Sequence, residues 1–600
     1  MSSGGRQPFD WSKTDPHHGA QFMRFQSRRS TVLGTRGMVA CSQPLAASAG
    51  IEVLNAGGNA ADAAVAVAAA LNVTEPCNTG IGGDAFCLFY DVESKKVRAF
   101  NGSGRTPAKQ DLDVVRKAGV SGVEIPGNNI HSVTVPGAAA CWVDTVEKLG
   151  SGKLSMSDIL APAIRLAEQG YPVHESTAYL WSRSEKLIKA ASPNAEEMLL
   201  NGTAPKTGEI MRMPTLARTF RELATKGKPG FYQGRVASSI VELVQSQGGV
   251  MELEDLEHHL STGTEEVSPI SYTYNHPASD AGSASGAVPD KHNGQGVTMY
   301  ECPPNGQGLT ALLALGILDE LQNQGKVGDL ATLDHNSPEY LHALIEALRL
   351  AFADTRYYVA DPDHSENITD KLLSKPYLSE RAKLFDPAKA SVDLVKGSPA
   401  NTCDTVYFSV TDEHGNACSF INSNYAGFGT GAVPAGCGFT LQNRGAGFIL
   451  EQGHPNNIGP RKRPYHTIIP AMATRGDELF LSFGVMGGFM QPQGQVQVLL
   501  NLLHHGFTVQ DALDAPRFCI GAGMAGPEGA TSEVYVEQGV DPATVEKLRE
   551  MGHNIQVVEG WNRFQFGRGQ VIQRVDTKDG RLVWAAGSDL RADGQAVAQV

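Results

Sequence analysis

The feature that most constrains the fold of this chain is a β-hairpin in its last third, which directly follows a polar linker. Two runs of β-forming residues, 405–410 and 417–422, flank a polar turn and predict two antiparallel strands. Residues 386–403 before them lack an apolar period, which is typical of an exposed segment that can be cut without loss of the core. Cleavage of the Asp404–Thr405 peptide would leave Thr405 with a free α-amine beside its hydroxyl. One residue would then supply both a nucleophile and a base.

The rest of the chain predicts an α+β protein in which helices and sheets form layers. Residues 59–66 are so rich in alanine that their helix should pack very closely against a sheet. Beyond residue 405, β-forming runs alternate with glycine-rich turns, and helical segments lie before and between them. Further helical periodicity occurs over 154–169, 215–226, 237–247, 309–322 and 338–355.

The same pattern divides the chain into segments. Residues 1–30 are polar and predict a disordered leader. Residues 275–296 are rich in Ser, Gly, Ala, Asp and Pro, and they predict a surface insertion. A cut before Thr405 would separate a large subunit, 31–404, from a small subunit, 405–600, that carries the nucleophile.

Charge and cysteine usage argue against several classes of function. The formal net charge is −14 and the longest basic run is 461–463, so a nucleic-acid partner is not expected. Nine cysteines, odd in number and without a CxxC pair, argue against a disulfide framework and a structural zinc site. Residues 1–29 lack the apolar core of a signal peptide, and the most apolar early run, 60–73, is too short to span a bilayer. We therefore expect a soluble cytoplasmic protein with no membrane partner.

Several familiar catalytic signatures are missing from the sequence. It contains no GxSxG elbow of a serine hydrolase, no HExxH metal motif and no dinucleotide-binding glycine fingerprint. The glycine cluster at 80–83 leads into a strand and lacks the Lys-Ser/Thr of a phosphate-binding loop, so it predicts a tight turn or the floor of a substrate pocket. The sequence therefore predicts neither a metal nor a cofactor.

A threonine at the start of a strand is ordinary in itself, because β-branched residues favour strands. The pattern around Thr405 nevertheless resembles the γ-glutamyltranspeptidase family, whose members are N-terminal nucleophile hydrolases that cut themselves into a large and a small subunit. The resemblance covers nearly the whole chain. The segments that carry it are the Asp404–Thr405 hairpin, 56–63, 80–83, 303–308, 428–431, 461–464, 487–488 and 515–518.

This resemblance implies a four-layer αββα sandwich of the N-terminal nucleophile hydrolase type, and a catalytic route. In the precursor the Thr405 hydroxyl would attack the carbonyl of Asp404, and hydrolysis of the resulting ester would free the Thr405 amine. In the mature enzyme the hydroxyl would attack an amide, and water or an acceptor amine would resolve the acyl-enzyme. Main-chain N–H groups of Gly487 and Gly488 match the family's oxyanion hole. Ser423 stands where the family usually has a second Thr, and it either orients the Thr405 amine or is an ordinary strand serine.

The substrate pocket implied by the resemblance departs from the family pattern. Glutathione-cleaving members bind the γ-glutamyl α-carboxylate with an Arg whose position here holds Ser103. They bind the α-amine with an acidic residue of a pair that is replaced here by Ala446 and Gly447. A buried ammonium without a carboxylate partner is costly. The surrounding segments are similar to the branch that includes oxamate amidohydrolase and the YwrD-like glutathione hydrolase homologues.

Five residues are predicted to bind substrate. His466 and Thr467 stand where the family has paired serines, and Tyr425 stands where it has an Asn. Arg444 and Arg105 are predicted to hold an anion, because a guanidinium suits a carboxylate bidentately. Either Arg is equally compatible with a structural ion pair.

The leading hypothesis is a self-processing amidohydrolase or acyltransferase that acts on a small-molecule amide, with water or an amine as acceptor. One alternative is ordinary γ-glutamyl transfer from, or hydrolysis of, glutathione or its conjugates. Another is an uncleaved binding homologue that keeps the fold without catalysis.

Overall fold

Nineteen strands in the described part of the chain build the sheets that position the hairpin. The computed structural model describes residues 29–275, 296–391, 403–521, 533–577 and 580–600, with the side chains of Cys403 and Asp404 left out. Nearly all of the predicted leader and insertion, and most of the predicted linker, lie outside these residues. The strands are β1 Val32–Gly34, β2 Met38–Cys41, β3 Asp84–Asp91, β4 Lys96–Gly102, β5 Tyr171–Pro172, β6 Ile210–Met211, β7 Glu265–Val267, β8 Ile270–Tyr274, β9 Val297–Glu301, β10 Cys403–Thr411, β11 Ala417–Ala426, β12 Ala471–Arg475, β13 Glu478–Met486, β14 Phe518–Ile520, β15 Glu533–Glu537, β16 Asn554–Val558, β17 Arg568–Asp576, β18 Leu582–Ser588 and β19 Gln595–Ala598.

Seventeen α-helices occur in the same part of the chain. They are α1 Pro44–Asn55, α2 Ala60–Thr74, α3 Leu112–Lys117, α4 Ala138–Leu149, α5 Met156–Gln169, α6 Glu175–Ala191, α7 Pro214–Lys226, α8 Pro229–Tyr232, α9 Gly234–Ser246, α10 Leu253–Thr262, α11 Gly308–Asn323, α12 Pro338–Tyr358, α13 Thr369–Leu372, α14 Lys375–Lys383, α15 Met490–His505, α16 Val509–Asp514 and α17 Pro542–Glu550. The segments predicted from helical periodicity are confirmed as α5, α7, α9, α11 and α12. Helices α4 and α6 were not predicted.

The two larger sheets stack face to face, and helices cover each of them. One sheet has the strand order β1-β18-β17-β13-β12-β9-β8 and the other has the order β19-β2-β10-β11-β3-β4-β7. Every neighbouring pair in both sheets is antiparallel. Helices α1, α2 and α4 pack on the second sheet, and α11, α15 and α16 pack on the first. The fold is therefore the predicted α+β, four-layer αββα sandwich.

Helix α2 supports the central hairpin from behind, as its alanine content predicts. All of its residues are buried, and it contacts both β10 and β11. The side chain of Asn59 caps the helix by accepting hydrogen bonds from the N–H groups of Ala61 and Asp62. The Asp62 carboxylate in turn accepts from the N–H of Asn59, which completes a capping box. Small side chains allow close approach of helix and sheet, so the position of the hairpin is tightly fixed.

Contacts between the two large sheets fix how β10 lies over β13. Ser409 Oγ of β10 lies 2.6 Å from Ser482 Oγ of β13. Nearer the start of β10, the ring of Tyr407 lies against Gly484, where an added Cβ would come within 2.6 Å of the ring. Residue numbers fall along β10 and rise along β13 between these two contacts, so the two strands run in opposite directions. The contacts are two residues apart in each strand, which is the spacing of side chains on one face.

The remaining strands form two small sheets, β14-β15-β16 and β5-β6. In the part of the chain that the structure describes, no helix is both long and apolar enough to cross a membrane.

Candidate active site

Thr405 lies in β10 at a β-bulge that this strand makes with β11. The ladder pairs Asp404 with Tyr425 and then Val406 with Asn422, so two residues of β11 stand opposite Thr405 alone. A bulge of this kind bends the strand and re-aims the side chains next to it. The hairpin predicted from the sequence is confirmed, and its irregular step coincides with the predicted nucleophile.

A chain of hydrogen bonds runs from the Thr405 hydroxyl to a buried guanidinium. Thr405 Oγ1 and Ser423 Oγ lie 3.0 Å apart, and Arg444 donates from Nη2 to Ser423 Oγ at 3.3 Å. Arg444 also donates from Nη1 to Thr467 Oγ1 at 2.7 Å. Its guanidinium carbon lies 4.4 Å from the centre of the Tyr425 ring. All five residues are buried, so five of the predicted site residues meet in one group.

The backbone of Tyr425 helps to hold Ser423. Tyr425 has a φ of +79°, a conformation that is unusual for a bulky residue and is often found at functional sites. Its N–H donates to Ser423 Oγ at 2.9 Å. The Ser423 hydroxyl oxygen therefore accepts from both Tyr425 and Arg444. Donors from two different segments thus hold Ser423 Oγ beside Thr405 Oγ1.

Gly487 and Gly488 form the turn between β13 and α15. Their φ angles are +128° and +58°, which glycine adopts without a steric penalty. The N–H of Met490 donates to the Gly487 carbonyl at 3.0 Å. Because a trans peptide points its C=O and N–H in opposite directions, the N–H of Gly488 is aimed away from that helix. The turn also lies at the N-terminal end of α15, where the helix dipole favours negative charge.

The packing of β10 on β13 brings this turn to the end of β10 that carries the nucleophile. The two contacts between these strands shift by two residues along each strand, in opposite directions. The contact nearer the start of β10 is therefore also the one nearer the end of β13, and β13 leads into the glycine pair.

His466 is buried beside Thr467, but its ring is engaged elsewhere. Its Nε2 donates to Asp84 Oδ2 at 2.9 Å, and its Nδ1 accepts from the N–H of Ile468 at 3.4 Å. Burial, and then the positive charge of Arg444, lower the pKa of His466 to about 4, so the ring is neutral. Because both ring nitrogens are occupied, we give His466 a supporting role rather than the direct anion contact predicted from the sequence.

Asp84 is a site residue that the sequence did not single out. Its Oδ1 accepts from the N–H groups of Gly104 and Gly137, at 3.0 Å each, and from Gln442 Nε2 at 2.9 Å. It is also the cross-strand neighbour of Ser423 in the ladder between β3 and β11. The available signal was a carboxylate that directly follows the glycine cluster, but its partners come from distant parts of the chain.

Arg105 lies in an ionic cluster of its own. Its Nη2 is 2.6 Å from Glu265 Oε1 and 3.5 Å from Asp363 Oδ2. Arg463 contacts the same two carboxylates. The contacts of Arg105 correspond to the structural ion pair that the sequence left open. We therefore assign it that role instead of anion binding, because two carboxylates already accompany its charge.

His342, Glu346 and His553 lie close enough together to suggest a metal site among the described residues. However, His342 Nδ1 and His553 Nε2 are 2.8 Å apart and hydrogen-bonded to each other. Arg349 Nη1 lies 2.7 Å from Glu346 Oε1 and 3.3 Å from His553 Nδ1. A guanidinium in this position repels a cation, so the cluster is a hydrogen-bond network and we assign no metal to it.

Comparison with known proteins decides the family. A family model described as Gamma-glutamyltranspeptidase matches residues 46–599. The chain belongs to the γ-glutamyltranspeptidase family.

Relatives within the family are similar over almost their whole length. The chain is 34% identical over 572 residues to the glutathione hydrolase-like YwrD proenzyme of Bacillus subtilis (strain 168), covering 94% of this chain and 99% of that protein. It is 30% identical over 570 residues to the oxamate amidohydrolase proenzyme of Klebsiella pneumoniae subsp. pneumoniae, again covering 94% and 99%. The crystal structure of cephalosporin acylase from Bacillus halodurans matches with a TM-score of 0.82 at 38% identity, covering 96% of this chain and 98% of that chain.

Membership of the γ-glutamyltranspeptidase family makes this chain an enzyme, a hydrolase or acyltransferase of that kind. It is an amide-cleaving enzyme that is processed from a precursor and acts on a small molecule. The alternative of a non-catalytic binding homologue is therefore not favoured.

The segment predicted to replace the acidic pair of the γ-glutamyltranspeptidases is tightly packed. Ala446 contacts Tyr425, and each keeps 8% of its surface exposed. An added Cβ at Gly447 would lie 2.8 Å from the carbonyl oxygen of Tyr465, so an acidic side chain there would require the backbone to move. Ser103, which the sequence predicts at the position of the family's Arg, is buried and accepts from an asparagine side chain at 3.1 Å.

Proposed function

We propose that this enzyme cleaves amides through a Thr405 acyl-enzyme and that it frees Thr405 by cutting the Asp404–Thr405 bond itself. The observation that carries the proposal is the hydrogen bond between Thr405 Oγ1 and Ser423 Oγ at the bulge. In the precursor, the Thr405 hydroxyl attacks the Asp404 carbonyl, the acyl group moves from nitrogen to oxygen, and water hydrolyses the ester. The freed α-amine then accepts the hydroxyl proton during attack on substrate. The naming of two similar relatives as proenzymes supports this route.

In this proposal Gly487 and Gly488 form the oxyanion hole. Their N–H groups donate to the oxygen of the tetrahedral intermediate at the positive end of α15. Removal of one such donor typically costs about 3 kcal/mol of transition-state stabilisation. Ser423, which the N–H of Tyr425 and Arg444 hold in place, orients the Thr405 hydroxyl and later its amine.

The substrate in this proposal carries a carboxylate close to the amide that is cut. Arg444 reaches Thr405 through a single hydroxyl, and Thr467 and Tyr425 hold its guanidinium in place. A planar guanidinium binds a carboxylate through paired hydrogen bonds. A carboxylate bound there lies within a few carbon atoms of the attacked carbonyl. The similarity to an enzyme named oxamate amidohydrolase supports such short acyl groups.

In this proposal the enzyme does not recognise the α-amine of a γ-glutamyl group. The corresponding positions, Ala446 and Gly447, offer no carboxylate. Burying an ammonium without such a partner costs several kcal/mol in typical cases. The substrate pocket has therefore diverged from that of the glutathione-cleaving members of the family.

The first test of the proposal is the state of the purified chain. We expect the wild-type protein and Thr405→Ser to give two chains on denaturing gels, with intact masses that place the cut before residue 405. Thr405→Ala should remain one chain of 63.8 kDa, because its methyl group cannot attack the Asp404 carbonyl. A single wild-type chain, or the same cut in Thr405→Ala, would contradict self-processing by this residue.

Comparing kcat/KM of the mature protein for two substrates then distinguishes between the substrate classes. N-(p-nitrophenyl)oxamate carries a carboxylate and no α-amine, whereas γ-glutamyl-p-nitroanilide carries both. We expect kcat/KM for the oxamate to exceed that for the glutamyl amide at least about tenfold, because the ammonium finds no partner. The reverse preference would show ordinary γ-glutamyl transfer, the second candidate, which the name of the Bacillus subtilis relative favours.

A further inference from the structure

Gln307 lies in the loop between β9 and α11, and its buried side chain joins two segments of the active site. Its Nε2 donates to the carbonyl oxygen of Thr467 at 2.7 Å and to that of Gly488 at 2.8 Å. Its Oε1 accepts from the hydroxyl of Tyr465 at 3.0 Å, which fixes the end of the amide that donates. Its backbone N–H donates to the carbonyl of His466 at 2.9 Å.

The hydrogen bond from Gln307 to Gly488 helps to fix the direction in which the proposed oxyanion donors point. The Gly488 carbonyl is held from a second side by the N–H of Gln491 at 3.2 Å. The Gly487 carbonyl is held by the N–H of Met490 at 3.0 Å. With the carbonyls before and after it fixed, the N–H of Gly488 keeps one orientation. Gln307 supplies the only one of these contacts that comes from outside α15 and its turn.

The hydrogen bond from Gln307 to Thr467 affects how Arg444 is placed to bind the substrate carboxylate. The same Nε2 that holds Gly488 also holds the backbone of Thr467, whose hydroxyl accepts from Arg444. A single amide nitrogen thus sets the spacing between the segment before β12 that carries Thr467 and the turn that carries the glycine pair.

We propose that Gln307 is a positioning residue that keeps the anion-binding group and the oxyanion donors at the separation a bound substrate requires. A substrate whose carboxylate is held by Arg444 then presents its amide carbonyl to the N–H of Gly488. This inference rests on the proposed function and adds to it a residue that acts through Thr467 and Gly488 without touching substrate.

Gln307→Glu is the sharpest test, because it is nearly isosteric and keeps the acceptor for Tyr465. When ionised, the introduced carboxylate offers no donor and repels the two carbonyl oxygens. When protonated, it donates to one of them. Burial raises the pKa of a carboxyl group, so the activity of the variant should begin to recover near neutral pH as the pH is lowered. We expect kcat on N-(p-nitrophenyl)oxamate to fall about 100-fold at about pH 8, with KM changed less than about threefold.

The pH profile separates positioning from a merely structural role. We expect the ratio of variant to wild-type kcat to rise at least about tenfold between about pH 8 and pH 5.5. Rates are taken per mature molecule, measured by intact mass. If the variant is isolated as one chain, its rate of self-cleavage after transfer to low pH replaces kcat as the readout.

Asn305→Asp is the matched control. Asn305 belongs to the same loop, is also fully buried, and donates from Nδ2 to the Pro464 carbonyl at 2.7 Å, but it makes no contact with Gly488. We expect its kcat to fall less than about fivefold, without recovery at low pH. An equal loss in both variants, or a variant-to-wild-type ratio for Gln307→Glu that does not change with pH, would overturn the proposal. A wild-type protein that cleaves neither anilide would instead sink the proposed function.

Discussion

At the scale of single residues, Arg444 is the group that we propose to hold the substrate carboxylate. Arg517 and Arg591 are buried against the carboxylates of Asp589 and Glu537. Arg444 donates to two hydroxyls and stacks on an aromatic ring. Hydroxyl groups can share a guanidinium with an incoming carboxylate, because they bring no negative charge of their own. These hydroxyl contacts are therefore compatible with the binding of a substrate carboxylate by Arg444.

Arg444→Lys tests this assignment, since it keeps the charge and removes the planar pair of donors. We expect KM for N-(p-nitrophenyl)oxamate to rise about 10- to 100-fold, equivalent to about 1.5–3 kcal/mol for hydrogen bonds to a charged group. Steady-state kinetics on the mature protein measure the change. Arg105→Lys is the control, and its KM should stay within about twofold because Arg105 belongs to a separate ion-pair cluster. Similar KM increases in both variants would contradict the distinction.

At the scale of elements, the sequence predicted the type of several elements but few of their contacts. The hairpin and helix α2 were predictable because alternation, alanine content and a glycine pair are local signals. The bulge opposite Thr405 and the pairing of Asp84 with His466, 382 residues apart, depend on tertiary packing that no local pattern encodes. The nucleophile could therefore be proposed from the sequence, whereas Asp84 and Gln307 could not.

The contact between β10 and β13 gives a prediction at this scale. Gly484→Ala would place a methyl group 2.6 Å from the Tyr407 ring and push the two sheets apart. We expect a loss of about 1–3 kcal/mol in the free energy of unfolding, measured in urea, together with a lower kcat. Gly328→Ala is the control, because an added Cβ there meets nothing within 4 Å, and its stability should change by less than about 0.5 kcal/mol. Unchanged stability in Gly484→Ala would show that the sheets are not packed this closely.

At the scale of the whole molecule, both large sheets take strands from each side of the Asp404–Thr405 bond. In one sheet β2 lies between β19 and β10. In the other, β1 pairs with β18 and β9 pairs with β12. Strands from the segment before this bond pair with strands from the segment after it in both sheets. A cut at this bond would therefore leave two chains that share one core. The nucleophile could thus be freed without loss of the fold.

A buried relay also joins the two segments and links their stability to pH. Arg349 donates to His553 Nδ1, His553 Nε2 donates to His342 Nδ1, and His342 Nε2 donates to the carbonyl oxygen of Asp386. Burial, followed by the positive charge of Arg349 and the presence of His342, lowers the pKa of His553 from 6.5 to about 3. The relay requires both rings to be neutral, since a second proton on either would remove an acceptor.

His553→Gln isolates the contribution of this histidine. In the unfolded chain His553 binds a proton below pH 6.5, whereas the folded protein keeps it neutral down to about pH 3. The unfolded state therefore binds more protons in this window, and the contribution of His553 to stability is lost as the pH falls. The variant lacks this proton uptake, while all other titrating groups are common to both proteins. We expect its stability deficit, measured by urea unfolding, to be largest at about pH 7 and to shrink by about 2 kcal/mol at about pH 5. A deficit that is the same at both pH values would mean that His553 does not stay neutral in the fold, and that the relay between the two segments is not the one described.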